Sequence, residues 1–327
     1  MSAATVSRVL NNVSTVDPDL AERVREAVDR LGYRSNGVAR SLRRRRTDVW
    51  ALIISDISNP FFTSVARGVE DVAQRAGYSV VLCNSDEDPA KEAQYFDVAE
   101  REQVAGVILS PNITGSDVSL LARAGIPVVA VDRPLDRPVD SVMADSVDGA
   151  RAATLHLFDE GWRRPACVTG PATAETAEQR VVGYLQAYAD RRRRSARSLV
   201  QHADYRADMA RDVVAKLLDL RNPPDSFFVA NSTMALGALD EFGRRGLVPG
   251  QDVGLVAFDD APWARFVNPP MSTVRQQAYQ IGASAAEMLL DRIDGRVDDV
   301  APRHLLLPTE LVIRDSSRRK VVASATA

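Results

Sequence analysis

Between residues 48 and 317 the chain alternates short, unbroken apolar runs with amphipathic helical stretches, and no other feature restricts the fold as much. The apolar runs are Val49–Ile54, Ser79–Cys83, Gly106–Leu109, Val128–Val131, Ala166–Thr169, Phe227–Ala230 and Val253–Phe258. Between them lie helical patterns at Thr63–Ala76, Glu92–Glu102, Gly149–Asp159, Gln179–Ala189, Met209–Asp219 and Met234–Arg245, and another follows at Ala278–Ile293. A strand that is apolar on both faces must be covered on both, which a parallel sheet flanked by helices achieves. The alternation is too long for one sheet and predicts an α/β fold of two doubly wound parallel-sheet lobes. Ligands of such sheets bind beyond the C-terminal ends of the strands. Functional residues are therefore expected just after the apolar runs.

Composition narrows the class. With 45% hydrophobic and 26% charged residues, the 327-residue chain reads as globular. It has no apolar run long enough for a membrane span. Met1-Ser2-Ala3-Ala4 does not open a basic-then-apolar leader. A cytoplasmic protein without membrane contact is expected. Cys83 and Cys167 are far apart, show no metal spacing, and read as small buried hydrophobes. Neither a metal nor a cofactor is implied. The net charge of −3 hides an asymmetry: residues 1–47 carry +5 and the remainder −8. A basic arm on an acidic body suits contact with nucleic acid, and Arg43–Arg46 lie uninterrupted within that arm. A second run, Arg191–Arg194, reads as a solvated helix end. Residues 318–327 read as a frayed tail.

Residues 1–47 carry helical patterns only. A short helix around residues 5–11 places Val6, Val9 and Leu10 on one side, with Ser2 as a candidate N-cap. A second helix starts at Val16-Asp17-Pro18, with Asp17 as N-cap and Pro18 in the first turn. Its apolar face is Leu20, Val24, Ala27, Val28 and Leu31, and Gly32 ends it. A third short helix is expected over residues 37–43.

Three segments make the pattern specific: Ala4-Thr5-Val6-Ser7-Arg8-Val9-Leu10-Asn11, Leu31-Gly32-Tyr33-Arg34-Ser35-Asn36, and Val38-Ala39-Arg40-Ser41-Leu42-Arg43. Together they resemble the lactose-repressor (LacI/GalR) family of regulators, and the likeness continues collinearly through the core. It implies a type I periplasmic-binding-protein-like core preceded by a small all-α segment, an incomplete helix-turn-helix. The implied boundaries are a DNA-binding segment at 1–34, a hinge helix and linker at 35–47, and an effector and dimerisation core at 48–317. Within the core, one lobe takes about 48–147 and 277–304, the other about 148–276 and 305–317.

The resemblance also implies roles. Residues 2–11 correspond to a recognition helix, which meets base edges in the major groove. Ala3 and Ala4 fall where the family varies with operator sequence and offer only methyl contact. Arg8 matches an arginine able to bridge guanine O6 and N7, while Thr5 and Ser7 match phosphate contacts. Asn36, Ala39, Arg40 and Leu42 correspond to the hinge helix, with Leu42 as the wedge that opens the minor groove. Paired hinges and half-sites imply a homodimer on operator DNA. The family carries a further helix and turn ahead of position 2. Their absence implies either a start placed too late or a truncated product, and weak DNA binding by the chain as written.

In the core, the resemblance places an effector between the lobes. Phe61 and Phe62 would offer an aromatic face, and Asp132, Arg133, Asn231 and Asp259 polar contacts. Arg180 aligns with an effector-binding arginine, and Gln276 lies near a crossover between lobes. Ser232 stands where the family usually has an acidic residue. Trp162 and Trp263 read as packing residues. Two aromatics among these polar groups suit a small polar effector, such as a sugar.

Rival readings fit less of the sequence. Nucleophile-elbow, phosphate-loop and dinucleotide motifs are missing. His156, His202 and His304 have no recognisable catalytic pairing, so no enzyme is expected. A transport binding protein would need export and would have no use for the stretch Asn36–Leu42. A ligand sensor without competent DNA binding is the remaining alternative.

Overall fold

The computed structural model describes residues 3–10, 16–31, 46–194, 197–297 and 301–320. The chain divides into two compact units, residues 1–47 and 48–327.

In the N-terminal unit, α1 (Ala3–Leu10) and α2 (Pro18–Leu31) pack against each other. Asp17 caps α2, its carboxylate accepting from the backbone N–H of Asp19 and Leu20 at 3.1 Å. Val9, Ala21 and Val24 form a small buried cluster with Val6, Val16 and Val28 against it. Val6 and Val9 thus have α2 as a packing partner. Leu31, counted on the apolar face of α2, is 75% exposed, and Ala21 takes part in its stead. The third short helix lies outside the described residues.

The core holds two six-stranded sheets. The first contains β1 (Val49–Ile54), β2 (Ser79–Asn84), β3 (Gly106–Leu109), β4 (Val128–Val131), β5 (Asp140–Ala144) and β11 (His304–Leu307), in the order β11-β5-β4-β3-β1-β2. The second contains β6 (Pro165–Thr169), β7 (Val200–His202), β8 (Ser226–Val229), β9 (Gly254–Phe258), β10 (Ser272–Arg275) and β12 (Glu310–Val312), in the order β12-β10-β9-β8-β6-β7. Among the described residues only the β10–β12 pair is antiparallel. Strands β3, β6, β8 and β9 are buried at every residue, as their continuous apolar character requires. Edge strand β2 is different: Val81 and Leu82 are exposed and Cys83 is only half-buried, so of the two cysteines Cys167 alone is a core residue.

Helices α3 (Pro60–Arg75), α4 (Pro89–Arg101), α5 (Ser119–Arg123) and α10 (Ala278–Ile293) belong to the first lobe. Helices α6 (Ser146–Asp159), α7 (Glu175–Asp190), α8 (Ala207–Leu218) and α9 (Ser232–Arg245) belong to the second. The chain crosses between lobes after β5, after β10 and after β11. The third crossing therefore falls at residues 308–309 and not after 304: β11 pairs in register with β5, His304 opposite Ser141, and stays in the first lobe.

The C-terminal stretch after β12 is part of the core. Ser316 and Ser317 are buried; Ser317 O accepts from Trp162 Nε1 at 2.7 Å, and its hydroxyl bonds to His156 Nε2 at 2.7 Å. Trp162 is a packing residue, 1% exposed, and Trp263 packs against the same cluster.

After visiting the second lobe the chain returns as α10 and lies directly on α3. Gly282 and Gly68 make this possible: a Cβ on Gly282 would sit 2.0 Å from Val65 O, and one on Gly68 2.1 Å from Tyr279 O. The two backbones touch, and neither can retreat without moving a helix. Gly282→Ala is expected to lower core stability by about 1–3 kcal/mol, the range for overpacking a dense interior. Urea denaturation checks this; an unchanged midpoint would show that the helices separate freely.

Candidate functional site

The C-terminal ends of the strands in both sheets open onto one cavity of about 530 Å³ between the lobes. Phe61, Phe62, Asp132, Arg133, Arg180, Asn231, Asp259 and Gln276 all line it. Each is set there by a short structural device. Asn59 caps α3, accepting from Phe61 N at 3.0 Å, with Pro60 in the first turn. The two phenylalanine rings that follow meet edge to face, 5.0 Å between centroids. Asn231 caps α9 in the same way, accepting from Met234 N at 2.7 Å. Its side-chain oxygen is thereby engaged with the backbone.

Asp132 and Asp259 occupy matching places, directly after β4 and β9, the third strands of the two sheets. Both hold left-handed backbone, φ 68° and 72°, a conformation that costs a non-glycine residue about 1–2 kcal/mol. The backbone N–H of Asp259 bonds Val274 O at 2.9 Å and that of Asp132 bonds Val142 O at 3.3 Å. These neighbouring strands hold the turn. Gln276 Nε2 donates to Asp259 at 2.6 Å, and the N–H of Ser232 serves the same carboxylate. Burial pushes both carboxyls above the usual range. The charges of Arg133 and Arg180 pull Asp132 back, and that of Arg180 pulls Asp259 back.

The two arginines differ. Arg133 is locked into the protein: Nη2 meets Glu87 at 2.8 Å, Nη1 donates to Glu87 at 3.1 Å and to Pro111 O at 2.9 Å, and Nε lies 3.4 Å from Asp132. Burial opposes its charge, and Asp132 and Glu87 more than offset that. Arg180 lies over the Phe258 ring, 4.0 Å from its centroid, and donates from Nη1 to Ala230 O at 2.5 Å. Its Nε is buried and has no partner among the described residues.

The structure adds residues to this set. Tyr205 follows β7, lines the cavity and shares a hydrogen bond of 3.0 Å with Thr176. Gly170 makes room for it: a Cβ there would come within 2.2 Å of the tyrosine ring. Glu87 follows β2 and neutralises Arg133. The only sequence signal for either lies in its place after a strand, and β7 is three residues long. The three histidines lie outside the cavity, bonded to Ser317, Gly170 O and Ser141. Among the described residues no group of His, Cys, Asp and Glu is arranged to hold a metal ion.

In the N-terminal unit, Arg8 on α1 is exposed and Thr5 half-buried. Ala3, Ala4 and Ser7 also lie on α1. Asn36, Ala39, Arg40 and Leu42 lie outside the described residues.

Comparison with known proteins agrees with this architecture. Residues 1–36 match the family model described as bacterial regulatory proteins, lacI family, and residues 154–317 match the periplasmic binding protein-like domain. The chain is 34% identical over 318 residues to the ribose operon repressor of Halalkalibacterium halodurans, covering 97% of this chain and 94% of that one. Among solved structures, it is similar to the transcriptional regulator CelR in complex with cellobiose, with 31% identity, TM-score 0.75, and coverage of 97% and 96% of the two chains. It is also similar to the lac repressor dimer bound to operator and the anti-inducer ONPF, with 25% identity, TM-score 0.84, and coverage of 97% and 96%. With the helical N-terminal unit and the two-lobed core in place, this chain belongs to the LacI family of bacterial regulatory proteins and is a transcriptional regulator, not an enzyme.

Proposed function

We propose that the chain represses transcription from an operator whose affinity is set by a sugar bound between the two lobes. The observation that carries this reading is the polar lining of the cleft. Asp132 and Asp259 face it from opposite lobes, and Arg180 brings a guanidinium whose buried Nε has no partner among the described residues. The charge of the Arg180 guanidinium, set between the two aspartates, suits the oxygens of a hydroxyl-rich ligand. Phe61, Phe62 and Tyr205 add aromatic surface for the apolar faces of a sugar ring. The name of the Halalkalibacterium relative and the cellobiose bound to CelR support the same ligand class.

The DNA-reading residues are Ala3, Ala4, Thr5, Ser7 and Arg8 on α1, with Asn36, Ala39, Arg40 and Leu42 in the hinge. The working form is a homodimer, because two half-sites need two copies. The exposed apolar Val81 and Leu82 on edge strand β2 give a second copy a surface to cover. Operator binding places this work in the cytoplasm.

The test is binding of the chain to the DNA beside its own gene, with and without D-ribose, cellobiose and a panel of other pentoses and hexoses. One sugar is expected to change operator affinity by about 5–150-fold, the usual span of allosteric coupling. Specific DNA binding that no sugar alters would overturn the sugar reading while leaving the regulator intact.

A further inference from the structure

The floor of the second lobe holds a pocket of about 660 Å³, at the opposite ends of β6 and β8 from the cleft. Strand length alone separates the two by on the order of 15 Å. Four arginines line it, from two separate segments. Arg163 and Arg164 come from the loop between α6 and β6, and Arg193 and Arg194 from just past the C-terminal end of α7. Attraction to a helix C-terminus accounts for cations after α7. It does not account for two more brought to the same pocket from another loop.

Across the rest of the core, arginines are commonly paired: Arg151 with Asp190, Arg191 with Asp159, and Arg245 with Asp219 and Glu241. None of the four pocket arginines has an ion pair among the described residues. The one carboxylate in the lining, Asp225, is already engaged by the backbone N–H groups of Arg163 and Arg164 at 2.7 and 2.8 Å. It fixes that loop in place, and one carboxylate against four arginines leaves the lining net positive. Arg193 is also held in position. Its Nη1 donates to Arg163 O at 2.8 Å, and its guanidinium lies over Phe158, 4.7 Å from the ring centroid. Arg164 Nε is buried and has no partner among the described residues. A concave, positively charged surface, with Arg193 and the Arg163–Arg164 loop held in place, on an otherwise acidic core is an anion site in form.

We propose that this pocket binds a small molecule bearing two or more phosphate groups. Planar guanidinium forks match phosphate oxygens bidentately, and several of them suit several phosphates better than one carboxylate. The site is distinct from the sugar cleft and does not depend on what the cleft binds.

Isothermal titration of the full chain with inorganic tripolyphosphate tests the proposal, at low and at physiological ionic strength. The comparison is with the double variant Arg163→Glu/Arg194→Glu, whose altered side chains are exposed, and with Arg244→Glu/Arg296→Glu as a charge-matched control elsewhere. Stoichiometric binding is expected, weakened about tenfold or more in the pocket variant and changed less than about threefold in the control. Three results would overturn it. One is no binding at physiological ionic strength. The second is an equal loss in both variants, or in neither, which would point to diffuse attraction or to the arginine run at 43–46. The third is pocket-dependent binding of duplex DNA without binding of tripolyphosphate, which would make the floor a nucleic-acid surface.

Discussion

Arg180→Ala is expected to weaken sugar binding in the cleft by about a hundredfold or more while leaving sugar-free operator affinity unchanged. Two effects combine. The variant loses the donors that Arg180 holds over the Phe258 ring and beside Ala230 O. It also removes a positive charge that Asp132 and Asp259 share from opposite lobes. Truncating one partner of a buried charged network costs about 2–5 kcal/mol, and each 1.4 kcal/mol is a tenfold change in affinity. Arg180→Lys separates the contributions. It keeps charge but not the planar fork, so it is expected to recover part of the affinity and no more. Titration with the sugar identified in the operator assay gives the numbers. A wild-type response in Arg180→Ala would remove this residue from the site.

The largest stability loss is expected from Asp140→Ala, at about 3–5 kcal/mol. Asp140 opens β5, and its side chain has no exposure. It accepts from Arg292 at 2.8 and 3.1 Å, from the Arg303 side chain at 2.8 and 3.2 Å, and from Arg303 N at 2.8 Å. One carboxylate thus ties β5 to the end of α10 and to the approach to β11. Removing it takes the shared carboxylate from two partly buried guanidinium groups, leaving Arg303 with Asp291 at 2.9 Å and Arg292 with Val297 O at 2.6 Å, a costly way to break such a network. Burial alone would raise the Asp140 pKa; the hydrogen bonds from Arg292 and Arg303 outweigh it and hold the group at about 2. A folded value below the unfolded one, near 3.9, means the stabilisation is present above about pH 4 and lost as pH falls toward 2. The shift corresponds to about 2 kcal/mol. Urea denaturation of wild type and Asp140→Asn at pH 7 and pH 3 should therefore show a gap that narrows in acid. A gap independent of pH would mean that the charge of Asp140 carries none of the effect.

The same residue shows why part of the fold was hidden in the sequence. Six of the seven apolar runs mark strands that bury both faces and need no partner to be recognised; the seventh, β2, is apolar but lies exposed at a sheet edge. Strand β5 is equally buried but begins Asp140-Ser141, which reads as loop until the two arginines are placed beside it. Strands β7 and β12 have three residues each, too few to show a period, and β10 mixes Ser, Thr and Arg with one valine. β11 alternates exposed and half-buried residues because it lies at a sheet edge. The cavity lining was legible where it follows an obvious strand, as at Asp132, Asn231 and Asp259. It was not where the preceding strand was obscure, as at Tyr205. The Arg191–Arg194 run is the solvated helix end that its sequence suggests, all four residues exposed; that Arg163 and Arg164, about thirty residues away, join it is visible only in the fold.

The two sheets share one strand order, and the left-handed aspartate after the third strand occurs in each. The core is thus one joint built twice, and the residue after each aspartate tells the copies apart. In the first lobe it is Arg133, turned into the cleft; in the second it is Asp260, bound to Arg275 and Arg314. A ligand bound there as proposed would be gripped like an object between the jaws of a caliper, and unequal neighbours behind equal jaws would let the core tell one end of that ligand from the other.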